Sequence, residues 1–185
     1  ITLLDISAEY KAKQTLEKRL DELSIVHTLT MESLQADNED ALIEHATEVI
    51  GECLFSEYFG ILMLDESKKT LHLHSSYQTT QGIKEIEIPL GEGITGQVAL
   101  SGERLSIPDV TKEPAYIQGH PDTRSELCIP IKIGARIFSV INVESKFPNA
   151  FSQTNINLLE TLANQLATAI ERMRSQAMER QQAQR

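Results

Sequence analysis

Gly91, Gly93 and Gly96 stand in the spacing G-x-G-x-x-G within LGEGITGQVALSG, and Asp109 follows Gly91 by 18 residues. Residues spaced this way can bind a dinucleotide: the glycines let backbone approach a pyrophosphate, a helix opens with its amides toward the phosphates, and a later acid takes the ribose. That chemistry requires a parallel strand before the loop and a crossover helix after it. Here the helix that could open near Thr95 ends at Gly102 after about two turns, too short for a parallel crossover. Glu92 would also set a carboxylate inside the phosphate loop. The dinucleotide reading is therefore rejected: Gly91 and Gly93 are read as relieving tight backbone, and Gly96 as allowing close packing of a short helix.

Other reactive residues give no catalytic constellation. There is no Gly-x-Ser-x-Gly elbow, no phosphate-binding P-loop and no His-Glu-x-x-His, and Ser106 and Asp109 lack an indicated histidine base. The expectation is that this stretch of chain is not an enzyme. His72 and His74 share a strand face, but a metal site needs three or four converging ligands, so they read as a solvated face. Cys53 has apolar helical neighbours and reads as a small core residue.

The elements around these residues follow from periodicity. Ser7 to about Gln35 lacks Gly and Pro, and Leu16, Leu20 and Leu23 recur at spacings of 4 and 3, a helix seam. Asp37 and Asn38 can cap a second helix carrying Leu42, Ala46, Val49 and Ile50 on one face. Tyr58 to Leu64 and Thr70 to Tyr77 flank a polar DESKK loop, and Leu127 to Ile133 and Arg136 to Glu144 flank Gly134-Ala135. Both pairs read as antiparallel hairpins. Their alternation sends Leu127, Ile129, Ile131 and Ile133 one way and Cys128 the other, with Ile137, Ile141 and Val143 opposing Phe138 and Val140. Both sheet faces need cover, which with long helices at both ends gives a three-layer α+β fold.

The chain has 185 residues and a net charge of −10, which disfavours a nucleic-acid or anionic membrane partner. Two cysteines are too few for a disulfide scaffold, and no apolar run is long enough for a membrane span, so a cytoplasmic location is expected. The chain begins at Ile1 and both ends read as helical, so it is expected to be part of a longer protein.

The stretch LGEGITGQVALSGERLSIPDV, followed by RSELCIPIKIGARIFSVINVESKFPNAFSQTNINLLETLANQLATAIERM, resembles the second half of a GAF domain. The resemblance covers residues 38–173, leaving 1–37 as a connecting helix and 174–185 as a helical linker tail. It implies a PAS-related central antiparallel sheet of about six strands between helices, with long N- and C-terminal helices. It also implies a small-molecule pocket roofed by the segment from Asp109 to Arg124, in a module joined in cis to an output domain such as a histidine kinase of a two-component system, a cyclase or a transcription activator.

Ligand classes known for the family each need their own residues. No Asn-Lys pair precedes Phe151-Ser152-Gln153-Thr154, which argues against cyclic nucleotides; no Cys-His pair serves a covalent bilin; and two cysteines are fewer than the family's methionine sulfoxide reductases use. No covalent bilin or metal site is therefore indicated, and the sequence leaves the cofactor unknown. The candidate ligand-binding residues are Asp109, Tyr116, His120, Arg124, Glu126, Cys128 and Phe138, with Arg124 and Glu126 alternatively forming a charge pair at a strand entry.

The final helix, capped by Ser152, carries Ile156, Leu159, Ala163, Leu166, Ile170 and Met173 at spacings of 3 and 4. The expected homodimer interface is Leu16, Leu20, Leu23, Leu159, Leu166, Ile170 and Met173. The reading is thus a dimeric sensor module that relays ligand state to an output domain. Its rivals are a ligand-free spacer whose pocket Phe138 fills, and a bilin, haem or redox sensor, with His120 a candidate for haem ligation or hydrogen bonding.

Overall fold

A computed structural model describes residues 3–54, 58–77 and 86–183. Helix α1 (Leu3–Gln35) breaks at Ala36–Asn38, where the Asn38 side chain accepts from the Ala41 amide at 2.9 Å and starts α2 (Glu39–Leu54). Strands β1 (Tyr58–Asp65) and β2 (Thr70–Leu73) form the first hairpin, and β3 (Glu87–Pro89) pairs with β2. Helix α3 (Gly93–Ser101) and β4 (Leu105–Ile107) follow, then a 3-10 turn at Val110–Lys112. The second hairpin is β5 (Ser125–Ile133) and β6 (Arg136–Ser145), and α4 (Gln153–Ala183) closes the chain. Ser152 and Asn155 cap α4 reciprocally, each side chain accepting from the other's backbone amide at 3.2 and 3.0 Å.

All neighbouring strands are antiparallel, in the order β3-β2-β1-β6-β5-β4. One face carries the larger core: Phe59, Ile61, Leu127, Ile129, Ile141 and Val143 pack beneath α2, α4 and the second half of α1. The other face is smaller and sits under α3, with Leu62, Leu71, Ile94, Val98, Cys128 and Val140. The expected α+β architecture with six antiparallel strands between helices is what folds. The side chain of Cys53 lies outside the described residues. No helix among the described residues is long and apolar enough to cross a membrane.

Helix α3 answers the glycine question. Gly91 and Gly93 adopt φ of +87° and +63°, and a Cβ at Gly96 would come within 2.5 Å of the Pro89 carbonyl oxygen. The Ile117 side chain packs against Gly93 closely enough that a Cβ there would meet it at 2.8 Å, so the helix N-terminus is covered by protein. Those glycines seat a short buried helix on an antiparallel sheet.

Three expectations are corrected. Leu159, Leu166 and Ile170 are fully buried in the core of a single chain, facing the sheet, and Met173 packs partly against the same core. The heptad-like spacing of α4 reflects this intramolecular face, because a helix covering a sheet and a helix in a coiled coil need the same 3-and-4 repeat. In contrast, Leu16, Leu20 and Leu23 are exposed on the first half of α1. Phe138 joins the helix-side core and leaves the Cys128 face, because β6 has an irregularity: Ile131 pairs with Ser139 and Lys132 with Ile137, skipping Phe138. A skipped residue slips the inside–outside alternation by one. Finally, His74 is buried, holding Asp40 Oδ1 at 2.9 Å and Ser76 Oγ at 2.7 Å, and is not a solvated face residue.

Candidate functional site

On the α3 side of the sheet, strand periodicity brings four polar residues together. Glu126 and Cys128 are two apart on β5; their Cα partners on β6 are Glu144 and Asn142. All four side chains therefore project from one patch of the same face. They are nearly or fully buried, with Glu126 at 4% and Glu144 at 6% relative exposure, beside the apolar Leu62, Val140 and Val98.

The patch is framed from two sides. Tyr77 lies over Gly60 of β1, where a Cβ would come within 2.0 Å of the ring, and its hydroxyl accepts from Asn142 Nδ2 at 3.0 Å. From the segment between Asp109 and Arg124, Thr123 and Tyr116 donate to Glu144 Oε2, the latter at 3.4 Å. The same segment brings Gly119 so close that a Cβ would meet Glu144 Oε1 at 2.8 Å. Asn142 Nδ2 also donates to Glu144 Oε1 at 3.2 Å, and Cys128 Sγ lies 3.3 Å from Glu126 Oε1 and 3.2 Å from Asn142 Oδ1. A thiol has one proton, so it serves one of those two acceptors at a time.

Charge is poorly compensated here. Glu126 Oε2 is buried without a hydrogen-bond partner among the described residues. Burial, and then the Glu144 charge, push the Glu126 carboxyl up to about 8. Burial also raises Glu144, opposed by its bonds from Thr123, Asn142 and Tyr116. The Cys128 thiol is pushed well up by burial and the neighbouring Glu126, and Tyr116 up to about 12 by burial and the Glu144 charge. A buried polar cluster with one orphaned carboxylate oxygen costs stability unless something completes it.

Of the residues singled out in the sequence, Tyr116, Glu126 and Cys128 meet in this cluster. His120 stands at its rim, stacked on Tyr58 with ring centroids 3.8 Å apart. Asp109 instead caps the 3-10 turn, accepting from the Thr111 amide at 3.2 Å, and pairs with Lys112 at 3.1 Å and Arg124 at 3.7 Å. Bonds from Thr111 and then Lys112 lower the Asp109 carboxyl to about 2. Arg124 is therefore committed to Asp109 and not to Glu126, and the expected strand-entry pair is corrected. Phe138 lies across the sheet, its ring under the Arg136 and Arg174 guanidiniums at 5.2 and 5.1 Å, so it neither lines nor fills this cluster. Glu144, Asn142, Thr123 and Tyr77 were missed. Asn142 and Glu144 carried a readable signal, two polar residues at alternate positions in the apolar run VINVE. Among the described residues no group of three His, Cys, Asp or Glu could hold a metal ion.

A nitrogen fixation protein of Azotobacter vinelandii, VnfA, is 24% identical over 166 residues, which are 84% of this chain and 32% of that protein, so the chain spans about a third of its relative. Among solved structures, the free methionine-R-sulfoxide reductase of Neisseria meningitidis, in complex with its substrate, superposes with a TM-score of 0.75 at 22% identity, covering 83% of this chain and 90% of that one. The GAF domain of an Acinetobacter phosphoenolpyruvate-protein phosphotransferase gives 0.72 at 20% identity, covering 83% and 94%. The reductases correct the expectation that this chain is not an enzyme: the same fold serves free methionine-R-sulfoxide reductases, so the lack of hydrolase motifs is no criterion. A family model described as GAF domain matches residues 36–171, and by that match, with the sheet and helices in the matching arrangement, the chain belongs to the GAF-domain family.

Proposed function

We propose that this GAF domain is a small-molecule-sensing regulatory module whose ligand sits on the Glu126–Cys128–Asn142–Glu144 patch beneath the 109–124 segment. The observation that carries the reading is the buried, unpartnered Glu126 Oε2 in a polar cluster on an otherwise apolar face. Ligand pockets have this character: an apolar wall with a few convergent polar groups. The exposed Leu16, Leu20 and Leu23 of α1 support a homodimer through that helix, and the long α4 is the proposed relay to an output domain in cis. A ligand would act through its differential affinity for two arrangements of these helices.

Native mass spectrometry of the protein purified from its native host tests the reading. The expected result is a dimer with a reproducible extra mass of a few hundred daltons or less, lost in Glu126→Leu. A bare species in wild type would contradict it.

A second reading is a thiol-dependent reductase, favoured by Cys128 standing 3.3 Å from a carboxyl group and by the reductases of the same fold. In that chemistry the Cys128 sulfur attacks the sulfoxide sulfur as its proton passes to Glu126, Glu126 protonates the departing oxygen, and a second thiol supplied by the external reductant closes a disulfide with Cys128, releasing the sulfide and water. Steady turnover of free methionine sulfoxide with excess dithiothreitol, abolished in Cys128→Ser, is the expected outcome for a reductase. No turnover in wild type would reject it.

A further inference from the structure

The buried polar clusters of this domain differ in whether they are complete. His74 is closed by protein alone: one ring nitrogen meets Asp40, the other Ser76, and Ser76 Oγ bonds on to Thr47 at 2.9 Å. The Glu126 cluster is not closed. With both carboxyls ionised, the state an ammonium ligand would meet, its acceptors are the four carboxylate oxygens of Glu126 and Glu144 and Asn142 Oδ1. Its donors are Thr123, Tyr116, the Asn142 amide, the Tyr77 hydroxyl proton and the one Cys128 proton; the first three are spent on Glu144 or Tyr77, and the Tyr77 proton does not reach Glu126 Oε2. That leaves Glu126 Oε2 bare, and the Cys128 proton divided between Glu126 Oε1 and Asn142 Oδ1. Among the described residues the cluster with both carboxyls ionised is short of donors and of positive charge.

We infer that the patch takes a small molecule bearing a protonated amine, whose N–H groups are received by Glu126 Oε2 and the neighbouring oxygens of Asn142 and Glu144. This rests on the small-molecule reading proposed above and narrows it to a ligand class. An ammonium group supplies three donors and one positive charge in a volume no larger than a methyl group, which is what the deficit asks for. Anionic ligands such as carboxylates or phosphates would add negative charge beside Glu144 and hold Glu126 neutral, and a neutral alcohol would bring a donor but no charge to stabilise ionised Glu126. A divalent cation asks for six or more oxygens, and the described residues offer no group of three acids or histidines for it. The net charge of −10 also favours cations in the surrounding field.

The inference carries a pH dependence. Around Glu126 stand Cys128 on the same strand, Glu144 on β6, and Tyr116 and His120 from the covering segment, with Tyr77 beyond Asn142. The empty site keeps Glu126 protonated by burial, and an amine binds only after that proton leaves. Affinity for an amine should therefore rise with pH up to about 8, while the amine itself stays protonated to about 10.

The test is calorimetry on the full chain with propylamine and L-methionine, against butyrate and N-acetyl-L-methionine at matched ionic strength. The expected result is binding of both amines and neither control at pH 8, with affinity falling by up to tenfold per unit between pH 8 and 6. Glu126→Gln should weaken the amines at least tenfold and flatten the pH dependence, with unchanged circular dichroism, whereas Glu126→Asp should retain binding. Equal binding of the acetylated or anionic controls, or amine affinity unchanged in Glu126→Gln, would overturn the inference. So would a response to calcium or magnesium chloride with none to the amines. If no amine binds while native mass spectrometry finds a neutral or anionic molecule retained by the protein, the amine inference falls and the sensor reading stands. A bare protein that binds no probe removes both.

Discussion

Glu126 is the residue at which structure and energetics disagree most, and the disagreement has a sign. Its carboxyl titrates from an ordinary 4.5 to about 8 in the folded chain, so between those values the folded state holds a proton that the unfolded state has lost. Stability of the empty domain must then fall as pH rises through that window, the reverse of a salt-bridged carboxylate. In urea titrations of ligand-stripped protein, wild type should lose on the order of 3 kcal/mol more than Glu126→Gln between pH 5 and 8.5, since one pKa unit corresponds to about 1.4 kcal/mol. Parallel curves for the two proteins would mean that Glu126 is solvated or already paired. Asp109 is the opposite case: its carboxyl is held low by Thr111 and Lys112 in a solvated turn, where such bonds organise the loop and add little stability.

Local signals account for what was legible among the elements. Asn38 and Ser152 announce helix starts because a cap is a short-range bond, and the two hairpins declare themselves through turn residues between β-rich runs. The glycines of α3 were readable as steric relief because the helix after them was too short for a crossover. The face assignments of α4 and Phe138 were not readable in the same way. A stripe of Leu159, Leu166 and Ile170 fits a sheet or a partner helix equally well, and only the fold chooses the sheet. Phe138 depends on the skipped pairing between β5 and β6, which is a property of two strands together. Half the site was legible for the same reason: Glu126 and Cys128 stand out on β5, and Asn142 and Glu144 could have been found by pairing the hairpin from its turn. Tyr77 depends on the open space above Gly60, and nothing local in sequence marks it.

At the scale of the whole domain, the proposed ligand patch and the long helices lie on opposite faces of one sheet. Strands β5 and β6 present Glu126, Cys128, Asn142 and Glu144 on one side and Leu127, Ile129, Ile141 and Val143 on the other, so the same strands touch both layers. The helical layer is tied together by polar bonds as well as by its core: Arg174 grips Glu39 through two bonds at 2.8 and 2.6 Å, and Arg172 donates to the Ser33 carbonyl at 2.8 Å. A competing location for a ligand exists there, a groove of about 450 Å³ between α1 and α4 lined by Thr30, Ser33, Asn164, Gln165 and Thr168. Hydrogen–deuterium exchange separates the two. The protein as purified from its native host should be compared with the same protein stripped by unfolding and refolded. Protection is expected in the purified form at residues 113–128 and 142–145, with a smaller change spreading into α4. Identical exchange over those segments, or a difference confined to the α1–α4 groove, would contradict it.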